Sequence, residues 1–561
     1  MEERIREAVD TALIELGAPG VTFAVERPAD YTHGDYAVNA ALVASKIVGE
    51  SPLELAQKLA ARLLELLEDV VEKTEAAGPG FVNITLSRAF YAKEMETARR
   101  AGDRWGRNEG LHGIRVMIEY GNPNPFKEMH IGHLMSNVIG ESVSRLIEAS
   151  GAHVLRDTFG GDVGPHVAKA LFALRQKGIT DVGSAKEIGD AYVHGSNAYE
   201  ESEDAKREID VLNTRIYDVV GRQADAQSLS VEDRQLLSLW RKGREISMEE
   251  FARIFKILGS SYDYIFYDSD TTAPGTSAVH DALAKGVFEQ SDGAIIYRGE
   301  KKGLHTLVFI TGRGTPTYET KDVGLAFLKE ERCETDRVII LTGVEQTGHF
   351  KVFLAALSEI APHLAEKTSH LSHGLLSLKT GKMSSRKGNI ITGAGLLRDM
   401  IERATKKNPD PLVAEQVAVA AVKFMILRQA AGGNVIFDPE KSLSLEGDSG
   451  PYLQYSLVRA GSVLSQAGKN GNADTMPKEP YLLERLIARF PEVVLRGENE
   501  RAPHHVAQYL TSLASEWNSF YAQERIIGGE YESYKLLVAE AFAMTMKNGL
   551  WLLGIPSPQK M

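Results

Sequence analysis

The hydrophobic positions of this chain keep three different rhythms. Near the start, Ile5, Val9 and Leu13 fall on one face of "MEERIREAVDTAL" with charged residues between them, the period of an amphipathic helix. Other helical periods follow, separated by short β-like runs, and the turn in "AAGPGFVNITL" uses Gly78, Pro79 and Gly80 to bring in a strand. Residues 1–108 therefore predict a small α+β domain. From "GIRVMIEY" the rhythm changes: apolar runs such as "HVLRD", "GAIIYRG", "HTLVFIT" and "RVIILTG" alternate with helical stretches, as the buried strands of a parallel sheet do. This second region, 109–394, predicts an α/β domain on a parallel sheet, with a charged, helix-spaced insertion at about 165–260 that carries "NAYEESEDAKREID". Beyond residue 395 helix formers dominate and strands nearly vanish, so 395–561 predicts an all-α bundle.

Composition narrows what such a chain can do. Its 561 residues, 43% hydrophobic and 25% charged, fit a globular protein of several domains. The most apolar helical stretch, "VAVAAVKFMIL", contains Lys423 and falls short of the roughly 18 apolar residues a membrane span needs, so no membrane partner is expected. The amphipathic start lacks the apolar core of a signal peptide, and the single cysteine, Cys333, excludes intrachain disulfides and cysteine-rich zinc sites. Both features predict a cytoplasmic location. Lys plus Arg number 64 against 76 Asp plus Glu, and the net charge of −12 argues against indiscriminate polyanion binding. A nucleic-acid partner would have to meet a local concentration of basic groups.

The first candidate chemistry lies in "NPFKEMHIGHLMSNVIG". Ile114, Val116 and Ile118 alternate as in a strand, while Leu134, Val138, Ile139, Val143, Leu146 and Ile147 keep helical spacing, so His130 and His133 fall in a strand–loop–helix turn. Ligands of parallel sheets bind at such junctions, where a helix N-terminus offers unpaired N–H groups and positive potential to phosphate. Gly132 admits a ligand closely, and both histidines can donate hydrogen bonds to phosphate oxygens as charge builds up at phosphorus. A lone histidine here would read as a cap or a core residue; two around a glycine at this junction favour phosphate. A second element, "LKTGKMSSRKGN", follows the strand-like "HGLLSL" and gathers Lys379, Lys382, Arg386 and Lys387 among glycine and serine. Such cations can neutralise a pyrophosphate leaving group, and an ordinary solvated basic loop has the same composition.

Together, His130-Ile131-Gly132-His133 and Lys382-Met383-Ser384-Ser385-Arg386 resemble the two signature sequences of class I aminoacyl-tRNA synthetases, in the expected order. The resemblance implies a Rossmann-like sheet on which ATP is attacked at its α-phosphate by an amino acid, giving an aminoacyl adenylate and pyrophosphate. It makes His130, Gly132, His133, Lys382, Met383, Ser384, Ser385 and Arg386 the ATP contacts. "THGDYAVNAAL" and "AAGPGFVNITL" are similar to the additional N-terminal domain of arginyl-tRNA synthetases. The likeness continues through "FGGDVGPHVAKAL", "TYETKDVGLA", "GVEQTGHF", "LEGDSGPYLQYSLVRAGSVL", "EWNSFY" and the ending "LLGIPSPQKM", so that it covers essentially the whole chain.

A guanidinium calls for a planar carboxylate partner and aromatic walls. Tyr318 and Asp322 are spaced i, i+4 near the start of a predicted helix and can face one site. Alone, Asp322 would be an ordinary acid of a first helical turn. The resemblance makes Tyr318 and Asp322 the guanidinium contacts, Glu119 and Asn124 the contacts of the α-amino and carboxylate ends, and Gln346 a further substrate contact. Two departures stand out. Many members of the family have a degenerate second signature and lean on a lysine just before the first, whereas this chain has both Lys127 and Lys382; both join His130 and His133 as catalytic candidates. Where the family commonly has Glu-Ser near the guanidinium, "YDYIFYDSD" has Asp268-Ser269, one methylene shorter, which makes Asp268 a further candidate contact.

The C-terminal helical region resembles the anticodon-binding domain of the family. In "GPYLQYSLVR", Tyr452, Gln454, Tyr455 and Arg459 stand where aromatic and cationic groups can meet unstacked bases, with core packing as the equal alternative for the tyrosines. The family's N-terminal domain contacts the outer corner of tRNA, which makes Tyr36 and Asn39 candidates there. The resemblance thus implies L-arginine, ATP and arginine tRNA as partners, transfer to the 2′-hydroxyl of the terminal adenosine, a monomer, and a requirement for bound tRNA in arginine activation. Magnesium is expected on the ATP phosphates, with no protein metal site and no tightly bound cofactor. Two other readings stay open. A class I enzyme for another amino acid, or a nucleotidyltransferase, would lack the Tyr318, Asp322 and Gln346 arrangement. A non-catalytic tRNA-binding paralogue would have no chemical reason to keep His130, His133 and Lys382.

Overall fold

The computed structural model describes residues 1–379 and 392–561. Packing divides the chain into two units, Met1–Arg107 with Ser456–Arg496 and Tyr509–Gly549, and Asn108–Tyr455 with Gly497–Gln508 and Leu550–Met561. This division cuts across the linear order of the sequence, because the helical region after residue 395 contributes to both units and the boundary falls within the helix Gly450–Ala467.

In the first unit the opening helix is Glu2–Glu15, with Ile5, Val9 and Leu13 buried as their spacing requires. Strands Val71–Ala77 and Phe81–Leu86 pair antiparallel across the Gly78–Gly80 turn. A Cβ on Gly80, whose φ is +132°, would lie 2.7 Å from Cβ of Pro52, so glycine is required there. The hairpin belongs to a four-stranded sheet in the order Val25–Glu26, Tyr36–Val38, Phe81–Leu86, Val71–Ala77. Apolar residues of this sheet and of helices Glu2–Glu15 and Pro52–Leu66 share one core, among them Val38, Ile84, Leu59 and Leu63. Ser51 and Glu54 close a capping box at the start of Pro52–Leu66.

The second unit is built on five parallel strands: Arg115–Glu119 (first), His153–Gly160 (second), Tyr264–Tyr267 (third), Arg337–Gly343 (fourth) and Thr368–His373 (fifth). Their order in the sheet is fifth, fourth, first, second, third. Val116 to Glu119 are buried without a break, as expected of a central strand covered on both faces. Two runs read from the sequence as strands of this sheet lie elsewhere. Ala294–Tyr297 and Leu307–Ile310, in "GAIIYRG" and "HTLVFIT", pair antiparallel with one another in a separate three-stranded sheet completed by Glu289–Ser291. An apolar run reports burial but not the identity of its neighbour. The fifth strand, "TSHLSH", is only half-buried along most of its length and carries no apolar run at all.

The insertion consists of helices Pro165–Gln176, Ala185–Glu201, Glu203–Gly221 and Val231–Leu258 and a short 3-10 turn, packed about a core of their own that includes Leu171, Ile209, Ile216 and Trp240. Among the described residues no helix is long and apolar enough to cross a membrane. The strand order matters most for function. Chain direction around the sheet reverses between the first and fourth strands, and a parallel sheet opens a crevice at the carboxyl ends of its strands at that point.

Candidate active site

The helix Ile131–Ala149 starts at this crevice. Ser136, in its second turn, accepts a hydrogen bond from the Gly121 N–H (3.1 Å) and donates to the Leu341 carbonyl (3.2 Å), which ties the helix to the ends of the first and fourth strands. His130 is its N-cap: the Gly132 N–H donates to His130 Nδ1 at 3.1 Å. An acceptor role for Nδ1 puts the proton of the neutral ring on Nε2, where it can be donated outward. A Cβ on Gly132 would lie 2.9 Å from His130 Cε1, so glycine lets this ring fold back over the helix start. The rings of His130 and His133 stack at 3.6 Å. Burial lowers the pKa of both, and Lys127 lowers each further; for His133, held well below the usual range, His130 adds to the effect. The pair is thus neutral at physiological pH. His133 Nδ1 is buried and has no hydrogen-bond partner among the described residues. Lys127 lies 5.1 Å from the ring centre of Tyr192, beside a cleft of about 370 Å³ lined in part by Thr392 and Arg398.

Lys382, Met383, Ser384, Ser385 and Arg386 lie outside the described residues. The chain that follows them is described at its return: Thr392 forms an antiparallel bridge with His130, and the Gly393 N–H donates to the Met129 carbonyl at 2.6 Å.

The candidate substrate carboxylates converge on the same strand ends, and each has a cation. Glu119 accepts from Asn122 Nδ2 (2.7 Å) and from Lys329 Nζ (2.7 Å). Lys329 is also 2.8 Å from Asp157, the residue opposite Glu119 in the parallel register. Burial, with Glu119 adding to it, pushes Asp157 up to about 7 against the pull of Lys329. Asp322 Oδ2 lies 2.6 Å from Nε2 of His349, whose Nδ1 lies 3.4 Å from Glu319. Burial opposes a charge on His349, but these two carboxylates outweigh it and raise the ring to about 10, so it stands protonated. Asp268, the first residue of helix Asp268–Ala284, accepts from Lys321 Nζ at 2.6 Å; burial pushes its carboxyl up to about 6, opposed by Lys321. Asn124 Oδ1 accepts from the Gly161 N–H at 2.9 Å, and a Cβ on Gly161 would lie 2.6 Å from that oxygen and 3.3 Å from Asp268 Oδ2. Asn124 and Asp268 therefore border one space that a side chain at residue 161 would fill.

The expected i, i+4 pair on helix Tyr318–Arg332 is present, but its members differ in setting. Tyr318 is 65% exposed, while Asp322 turns inward, where it lines one internal cavity with Glu119, Lys329 and Phe350. Gln346 is exposed at the start of helix Thr347–Ile360. Lys321, Lys329, His349 and Asp157 were not singled out in the sequence. His349 had a signal, since it follows Gln346 in the quoted "GVEQTGHF"; Lys329 and Asp157 had none, because their meeting depends on a helix crossing the sheet. A larger groove, about 1250 Å³, runs along helix Val231–Leu258 and contains none of the candidate residues.

Two of the candidate tRNA contacts are placed differently from expectation. Tyr36 is 0% exposed; its hydroxyl donates to Glu492 at 2.5 Å and the Arg27 guanidinium covers its ring, so it presents no surface to a nucleic acid. Gln454 is likewise 0% exposed and donates to the carbonyls of Gln416 (3.2 Å) and Pro556 (2.7 Å). Residue type alone does not reveal burial. Asn39 accepts from the Ala24 N–H at 2.8 Å and is partly exposed. Tyr452 and Tyr455 are partly exposed, as is Arg459, which donates to Asn518 at 3.1 Å and covers the Tyr521 ring.

Residues 102–438, more than half of the chain, match the family model for the catalytic domain of class I tRNA synthetases (R). Residues 453–561 match the DALR anticodon binding domain, and residues 2–86 the arginyl tRNA synthetase N terminal domain. The arginine–tRNA ligase of Limosilactobacillus reuteri is 30% identical over 100% of both chains, and that of Treponema denticola 29% identical over 95% of this chain and 94% of the relative. Among solved structures, the arginyl-tRNA synthetase of Thermus thermophilus superposes with a TM-score of 0.77 at 27% identity, over 100% of each chain.

Proposed function

The chain belongs to the class I arginyl-tRNA synthetase family, and from this premise we propose how its residues share the work. The reaction joins L-arginine and ATP into arginyl adenylate and pyrophosphate, then transfers the arginyl group to the terminal adenosine of the tRNA. ATP lies along the start of helix Ile131–Ala149 with Gly132 beneath it. His130 donates from Nε2 and His133 from its ring to phosphate oxygens whose charge grows as the arginine carboxylate attacks the α-phosphorus. Neutral imidazoles suit this task, because they donate without the desolvation cost of a buried cation. Lys127 and Lys382 balance the charge of the departing pyrophosphate, and Met383, Ser384, Ser385 and Arg386 complete the ATP contacts. Magnesium arrives on the ATP phosphates, and no other cofactor is used.

Arginine binds with its α-amino and carboxylate ends at Glu119 and Asn124. Its guanidinium lies against Tyr318, between Asp322 and Asp268, with Gln346 at the rim. Regions 1–108 and 395–561 contact the tRNA, with Asn39, Tyr452, Tyr455 and Arg459 among the contacts. The working form is a cytoplasmic monomer. The observation that carries this reading is the stacked pair His130–His133 at the start of helix Ile131–Ala149, held neutral by burial and by Lys127.

The test is amino-acid-dependent ATP–pyrophosphate exchange over all twenty amino acids, with and without total tRNA. Exchange with arginine alone, dependent on tRNA, is expected. In His133→Ala the exchange kcat is expected to fall by about 10²- to 10³-fold with little change in arginine KM, as for a donor that acts in the transition state. Exchange with another amino acid would overturn the pocket assignment.

A further inference from the structure

Asp268 is buried, and the hydrogen-bond donor that the structure places on it is internal: Lys321 Nζ, 2.6 Å away and itself 4% exposed. The pair is fixed by an unusually close helix crossing. A Cβ on Gly275 would lie 2.0 Å from the Thr320 carbonyl oxygen, and one on Gly324 would lie 2.0 Å from that of Thr271, so helices Asp268–Ala284 and Tyr318–Arg332 meet backbone to backbone. Asp268 at the head of one helix is thereby set against Lys321 on the other, next to Asp322 and within a turn of Tyr318. Lys321 also has a second seat. Its ammonium lies 5.3 Å from the ring centre of Tyr318 and 5.4 Å from that of Tyr217, close enough for either face to hold the cation once it leaves the carboxylate.

We propose that Lys321 is a specificity-determining residue of the arginine pocket, an internal cation that occupies Asp268 and that only a guanidinium displaces. This inference rests on the assignment of Asp268 and Asp322 to the guanidinium. Exchanging one ammonium for another at Asp268 gains nothing, so ornithine or lysine has no advantage over the resident side chain. A neutral ureido group, as in citrulline, loses outright. A guanidinium presents parallel N–H groups in one plane and can address Asp268 and Asp322 together, so it alone gains more than it displaces. Competition built into the site rejects the wrong substrate, at the expense of some affinity for the right one. The binding-competent state is the one with Lys321 withdrawn, and apparent affinity falls in proportion to how rarely that state is populated.

Two measurements test this, and the first needs no variant. In the wild-type full-length protein, acetylation of Lys321 by an N-hydroxysuccinimide ester, followed by peptide mass spectrometry, is expected to accelerate when L-arginine is added and to stay unchanged with ornithine. Protection of Lys321 by arginine would overturn the proposal. The second compares Lys321→Met with Asp322→Asn in tRNA-supported exchange, after thermal melting has established that both are folded. Lys321→Met should lower arginine KM by about tenfold or more while kcat changes little, and should lower the inhibition constant of ornithine by a larger factor. An unchanged or raised KM in folded Lys321→Met, with KM raised in Asp322→Asn, would sink the role of Lys321 alone. An unchanged KM in Asp322→Asn would sink the pocket assignment beneath it.

Discussion

His349 is the residue whose charge the second unit depends on most visibly. It donates to Asp322 through Nε2 and stands near Glu319 through Nδ1, and its ring is raised from an ordinary 6.5 to about 10. A group whose folded pKa lies above its unfolded value binds its proton more tightly in the native state. Its stabilising contribution is therefore complete below about pH 6.5 and is lost as pH rises through about 10. Melting curves of the wild type and His349→Gln should accordingly show a gap in Tm that is widest below about pH 6.5 and closes toward pH 10; a gap independent of pH would mean that His349 acts only through packing. The histidine pair of the first signature is tuned the opposite way, by burial and neighbouring cations, to stay neutral. Under the proposed assignment, one residue type serves as a fixed cation on the amino-acid side and as a neutral donor on the phosphate side. The difference lies in the neighbours: carboxylates at His349, Lys127 and a second imidazole at His130 and His133.

Between elements, the crossing of helices Asp268–Ala284 and Tyr318–Arg332 is the contact that shapes the proposed amino-acid pocket. Neither Gly275 nor Gly324 has a positive φ, so their role is closeness and not backbone freedom. Gly324→Ala should force the helices apart and cost about 1–3 kcal/mol, as overpacking does. Because Asp268 and Lys321 sit on opposite sides of the crossing, the same variant should change arginine KM more than ATP KM. Equal effects on both substrates would show the damage to be global. The helix that carries Tyr318 and Asp322 was legible in the sequence from their i, i+4 spacing, whereas Asp268–Ala284, with Pro274 inside it, was not read as a helix. Their crossing was not legible either, since a glycine inside a helix pattern reads as a weak point until its neighbour is known.

For the whole molecule, the chain's last residues bear on the catalytic unit. In the unit that contains Leu550–Met561, four carbonyls of this tail are taken up by buried or half-buried side chains. Arg145 donates to Trp551 (3.0 Å), Ser142 to Leu552 (2.8 Å), Lys423 to Gly554 (2.6 Å) and Gln454 to Pro556 (2.7 Å). Ser142 and Arg145 belong to the helix that begins at His130. Deleting residues 553–561 would leave the Lys423 amine and the Gln454 amide short of these acceptors in the core. Unfolding should become easier by about 1–3 kcal/mol, the cost of leaving a buried hydrogen-bond donor without its acceptor. Chemical denaturation monitored in the catalytic unit checks this, and an unchanged midpoint would make the tail dispensable. A second expectation concerns charge. With a net charge of −12, tRNA must be held by a local basic surface, so Kd measured between about 50 and 200 mM salt should rise steeply and linearly on a double-logarithmic plot. A flat plot would remove the electrostatic account of tRNA binding.

The sequence by itself determined the local structure and the reagents of the chemistry. Periodicity located the opening helix through Ile5, Val9 and Leu13, the first strand through Val116 and Ile118, and the helix after His133, because burial on one face or on both leaves its mark every 3.6 or 2 residues. The histidines, the glycine between them and the lysine before them stand within a few residues of one another, so their grouping needed no tertiary information. Which strands share a sheet, which aromatic faces water and which cation meets each carboxylate were decided only by tertiary structure. "HTLVFIT" and "RVIILTG" look alike, yet one pairs antiparallel in a small sheet and the other lies between the fifth and first strands of the parallel one. Tyr36 and Tyr318 are the same residue type, yet one is sealed beneath Arg27 and the other open at the pocket. Asp268 meets Lys321 across 53 positions and Glu119 meets Lys329 across 210. Such pairs arise where separate elements cross, and the energy that fixes them belongs to the packing of those elements, for which no short stretch of sequence carries a signal.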